Sequence, residues 1–136
     1  MKKKNFVLLS MATTIILILL SLFFPKPFGG NIRIEDINHI YVSDGNNGKG
    51  FTVGNGDDIE YIVDNIKNNK VKINSLSLGC MGYGLKTKYI GSNGKAPLSF
   101  TLNGKDTIRK DPFFYKCNDE LCFEYIKEIE NELLFL

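Results

Sequence analysis

Three cysteines, one histidine and a glycine-rich hexapeptide are the parts of this 136-residue chain whose residue types invite chemistry. Cys117 and Cys122 have the most definite spacing. With Asn118 read as a helix cap, Cys117 stands just before the cap and Cys122 is the fourth helical residue. Side chains at those two positions meet in a hydrophobic staple. That approach has two readings, a disulfide closing a small loop or two small apolar residues in contact. A bond from Cys80 to either partner is a third pairing. Three cysteines leave at least one thiol unpaired within a single chain.

The hexapeptide Gly79-Cys80-Met81-Gly82-Tyr83-Gly84 is the second feature. Glycines let a backbone approach another surface closely, and Met81 and Tyr83 offer adaptable contact area. One reading is a loop that touches a partner or ligand, the other a plain connection between strands. A phosphate-cradling loop would continue into Lys-Ser/Thr and a helix, and a strand is predicted instead.

Nucleophilic catalysis needs a Ser or Cys beside a base. Cys80 with His39 is the single Cys/His combination, and it defines a hydrolase alternative that nothing in the spacing supports. Ser92 with Lys95 is a pairing that any lysine-rich chain offers. Cys-x₄-Cys lacks the two-residue spacing common in zinc sites, and His39 lies far away in sequence. The run from Asp44 to Gly50 imitates a calcium loop but has Lys49 where an EF-hand wants Gly and Asn55 where it wants Glu. A hairpin explains it better. No catalytic, cofactor-binding or metal-binding residue is expected, and the protein reads as non-enzymatic.

The elements that would position these residues are well punctuated. Asn-Gly pairs occur at Asn47, Asn55, Asn93 and Asn103, and each predicts a tight turn. Strands are predicted over 37–43, 50–53, 71–78, 83–90, 98–102 and 106–109 from β-branched and aromatic content. The run 98–102 alternates strictly, and Asn103-Gly104 turns it into the next strand. A helix is predicted after Asp57 as cap, with Glu60 completing a capping box and Ile59, Ile62, Val63 and Ile66 forming one stripe. A second helix is predicted from Asn118, with a stripe of Cys122, Tyr125, Ile126, Ile129, Leu133 and Leu136. The order β-β-α-β-β-β-β-α gives an α+β domain, a mostly antiparallel sheet of about six strands with both helices on one face. The aromatics Phe113, Phe114 and Tyr115 are expected mostly in the core.

Ahead of this domain, Phe6 to Phe24 runs nineteen residues without a charge. As a helix it extends about 28 Å, close to a bilayer's hydrocarbon thickness. Lys2, Lys3 and Lys4 precede it, which predicts a signal-anchor with a cytoplasmic N-terminus and the domain held outside. The run ends at Leu22-Phe23-Phe24-Pro25, a poor signal-peptidase site, and no Cys follows closely enough for a lipoprotein. Residues 1–24 are therefore read as a transmembrane helix, 25–30 as a Pro/Gly linker and 31–136 as the domain.

Residues 31–136 hold 13 Lys and Arg against 15 Asp and Glu, a net charge of −2, which removes the electrostatic case for nucleic acid. As an architecture the whole chain resembles the small anchored extracytoplasmic proteins of Gram-positive bacteria. The expected function is an interaction or ligand-binding module at the cell envelope, meeting an envelope protein or a small ligand. The alternative is an accessory subunit whose anchor helix itself makes contacts in a membrane complex.

Overall fold

The computed structural model describes residues 2–78 and 83–136. Helix α1 (Lys2–Phe23) buries none of its residues. The hydroxyls of Thr13, Thr14 and Ser21 return to carbonyls three or four residues back, which satisfies them without water. Among the described residues this is the one helix long and apolar enough to cross a membrane.

The domain is α+β, built on an eight-stranded sheet. The strands are β1 (Lys26–Pro27), β2 (Ile37–Asp44), β3 (Gly50–Val53), β4 (Lys70–Leu76), β5 (Leu85–Gly91), β6 (Leu98–Leu102), β7 (Thr107–Lys110) and β8 (Phe113–Cys117). They lie in the order β1-β4-β8-β7-β6-β5-β2-β3, and every pairing is antiparallel. Two of the eight were not predicted. The Pro/Gly stretch expected to be a linker pairs Lys26 with Val71 and Pro27 with Lys70, and buries Phe28 edge-on against Phe100 and Tyr115. Proline tolerates such an edge position because its missing N–H faces no neighbour. Strand β8, whose aromatics are expected mostly in the core, lies between β4 and β7 with Phe113, Phe114 and Tyr115 only half-buried.

Three of the four Asn-Gly pairs turn hairpins, with Gly48, Gly94 and Gly104 at positive φ. The fourth starts a helix. Helix α2 (Gly56–Asn68) is capped by Asn55, whose side chain accepts from the Asp57 N–H at 2.9 Å, rather than by Asp57 itself. Asn supplies the same oxygen as Asp and stands where the chain leaves extended geometry. The predicted stripe of Ile59, Ile62, Val63 and Ile66 is buried.

Helix α3 (Phe123–Leu134) begins five residues after Asn118, with Cys122 at the cap position. The reason lies in α2. Asn65 accepts from the Cys122 N–H at 2.8 Å and donates to the Glu120 carbonyl at 3.1 Å, while Asn69 exchanges bonds with Asp119 N–H and C=O at 3.2 and 3.0 Å. The Asp119 and Cys122 N–H groups and the Asp119 and Glu120 carbonyls are thereby engaged by α2 side chains. The helices and the alternating inward residues of the sheet enclose one core, centred on Ile40, Val42, Leu85, Leu102, Ile108 and Ile126.

Candidate functional site

The polar interior of the domain was not legible in the sequence reading. Glu130 follows Ile126 by one helical turn on the buried face of α3, and it is 1% exposed, like Asp44 at the end of β2. Lys127 reaches both carboxylates, lying 2.7 Å from Asp44 Oδ2 and in close contact with Glu130 Oε2. The Asn47 amide donates to Glu130 Oε1 at 2.9 Å and to Asp44 Oδ2 at 3.3 Å. Burial alone would raise the pKa of Asp44, but the Lys127 hydrogen bond and the Asn46 backbone N–H hold it below the usual value. The two carboxylates raise Lys127 in turn. The residues that resembled a calcium loop thus form the β2–β3 turn, and Asp44 binds a lysine. The signal that would have found Glu130 is its place one turn after Ile126 and two after Cys122 on the same stripe.

Cys117 and Cys122 both carry free, buried thiols in the structure. Burial pushes Cys117 up to about 11, aided by the Asp106 carboxylate, and pushes Cys122 up to about 12. Such thiols are poor nucleophiles, because the thiolate is the reactive form. His39 lies on the outer face of β2, where its Nδ1 meets the Asn38 amide at 3.2 Å. Its suggested partner Cys80, together with Gly79, Met81 and Gly82, lies outside the described residues. The described remainder of that hexapeptide is informative. Tyr83 is exposed, with its carbonyl held by the Asn103 amide. Gly84 is required by the fold's own packing, since a Cβ there would stand 2.5 Å from the Leu102 carbonyl oxygen.

The outer face of the sheet is polar and uncovered. Arg109, Thr101, Lys86 and Ser43 form one cross-strand row, and Ser99, Lys88 and Tyr41 form the next. A shallow groove of about 460 Å³ runs over the first row, bordered by Gly84 and Asp111. Asp111 accepts from Arg109 Nε at 2.9 Å and from the Ser77 hydroxyl at 2.6 Å. Those bonds, with Lys86 nearby, hold its carboxyl below the ordinary range. The helix side is acidic by contrast, with Asp57, Glu60, Asp64 and Asp119 lining a groove along α2. The domain's small net charge therefore conceals a basic sheet face and an acidic helix face.

A second groove, of about 500 Å³, is apolar. It lies where α1 meets the sheet and is lined by residues including Leu22, Phe24, Ile73, Leu98, Phe113 and Tyr115, with Lys26 and Lys110 beside them. Ile73, Phe113 and Tyr115 share the core-facing side of the sheet, yet each stays partly exposed. No group of three or more His, Cys, Asp or Glu side chains among the described residues is arranged to hold a metal ion.

Comparison with known protein families, with curated proteins and with solved structures finds no match to this chain.

Proposed function

We propose that this chain is a membrane-anchored, non-enzymatic interaction module, held outside the cytoplasmic membrane by α1 and presenting its domain to an envelope partner or ligand. The observation that carries the reading is that α1, charge-free from Phe6 onward, buries no residue against the domain. An isolated apolar helix of this size in water would expose far more contiguous apolar surface than a soluble protein ordinarily does. Its apolar residues from Phe6 to Phe23 extend about 27 Å, close to the thickness of a bilayer core. Lys2, Lys3 and Lys4 favour a cytoplasmic N-terminus. The uncovered basic row of the outer sheet face, bordered by Gly84, supplies the surface for a partner.

The test is topological. Ser99 is exposed on the outer sheet face, so a Ser99→Cys variant in a Cys80→Ser background offers one accessible thiol beside two buried ones. A membrane-impermeant maleimide labels it in intact cells if the domain lies outside. Labelling confined to lysed cells places the domain in the cytoplasm and overturns the reading.

A further inference from the structure

The apolar groove between α1 and the sheet has the composition of a binding site but no occupant from the fold. It exists because α2 and α3 leave the core-facing side of β4 and β8 incompletely covered. Tyr115 packs against the core there, Ile73 and Phe113 line the groove beside it, each stays partly exposed, and the segment from Phe24 to Ile32 forms the other wall. Its volume of about 500 Å³ falls within the range of small-molecule sites, and its lining is aromatic and aliphatic with few polar groups, as such sites require.

Two further observations identify the occupant. Leu22 and Phe24, at the end of the spanning helix, belong to the lining, so the groove opens at the level where α1 leaves the hydrocarbon. Lys26 and Lys110 stand beside it, and the Lys110 ammonium lies 5.9 Å from the centre of the Phe28 ring. Neither lysine has a carboxylate partner among the described ion pairs. Apolar walls reached from the bilayer, with cations at headgroup depth, match an amphiphile with one anionic phosphate.

We propose that this groove binds an anionic phospholipid of the surrounding leaflet, with an acyl chain between Ile73, Leu98, Phe113 and Tyr115 and the phosphate between Lys26 and Lys110. The inference rests on the anchored reading of α1. It holds for either orientation of the chain, because the groove follows the helix end wherever that end emerges.

The full chain is placed in phosphatidylcholine nanodiscs containing a trace of phosphatidylglycerol with a photoreactive diazirine on its acyl chain. After illumination, the modified peptides are mapped. The expected result is label in 73–76 and 97–115 as well as in α1. Lys26→Gln and Lys110→Gln each lower the groove label about five-fold, the effect of one juxtamembrane charge. Label confined to α1 overturns the groove and leaves the anchor standing. Label on neither removes the anchor, and the inference falls with it. Equal groove labelling by a phosphatidylcholine probe with the same diazirine chain overturns the anionic specificity.

Discussion

Lys127 joins two carboxylates that arrive from opposite ends of the domain's sequence, Asp44 from the β2–β3 hairpin and Glu130 from its own helix. Removing one member of a buried ionic group leaves the remaining charges desolvated and unpaired. Lys127→Met should therefore destabilise the protein by about 3 kcal/mol, the low end for such losses because its side chain is 30% exposed. Thermal unfolding of the full chain in detergent measures the loss, and adding Glu130→Gln to that variant should recover part of it. The pH dependence follows from the shifts. Asp44 is depressed below 3.8, so its contribution is complete above that value and is lost as pH falls through its lower folded pKa. Lys127 is raised above 10.5, so its contribution persists below that value and is lost as pH rises through the folded pKa. Cys117 and Cys122 belong to the same scale. With burial holding them near 11 and 12, neither should react with iodoacetamide at pH 8 until denaturant is added. Mass spectrometry of the non-reduced chain decides between free thiols and the staple. An alkylatable pair supports the geometry, and a fragment joining 117 to 122 overturns it.

At the level of elements, the turn chemistry was largely readable and the caps were not. Asn-Gly needs only local backbone freedom to turn a hairpin, which is why Gly48, Gly94 and Gly104 fall where sequence alone places them. Helix starts depend on who else wants the same N–H groups. Asn118 is an acceptable cap by type, yet α2 occupies the following backbone through Asn65 and Asn69, two residues one turn apart that the sequence shows only as polar neighbours of an apolar stripe. Strand β8 was hidden for a related reason, since three consecutive aromatics erase the alternation that reveals a strand. The Asn69 side chain is buried, so Asn69→Ala strands a backbone donor and an acceptor at Asp119. The cost should be about 2 kcal/mol. Hydrogen exchange should report faster loss of protection at Asp119 and Cys122 than at β5 or β6, whose central pairing does not involve this contact. Uniform loss across the sheet would mean that the clamp is inseparable from the global fold.

For the whole molecule, the boundary between the apolar helix and the domain differs from the one composition suggests. The domain begins at Lys26, because β1 and Phe28 belong to it. Chains starting at Lys26 and at Asn31 should therefore differ in stability. The shorter one lacks Phe28 and opens a cavity against Phe100 and Tyr115, at a cost of about 3 kcal/mol or more. Urea unfolding of the two soluble truncations compares them directly, and equal midpoints would restore the linker reading. Leu133 and Leu136, expected to complete the stripe of α3, are exposed and are not needed for the core. Leu133 lies on the same face of the helix, but Ile126 and Glu130 are its last fully buried positions.

The pairing of β1 with β4 also governs reach. Two residues, Phe24 and Pro25, separate the end of α1 from β1, so Phe23 and Lys26 are at most about 11 Å apart. A domain on a long polar leash samples a wide volume and meets distant partners; this one is bolted to its post. So short a connection ties the position of the domain to the end of α1. With α1 in a bilayer as proposed, anything the domain recognises must come close to the membrane surface.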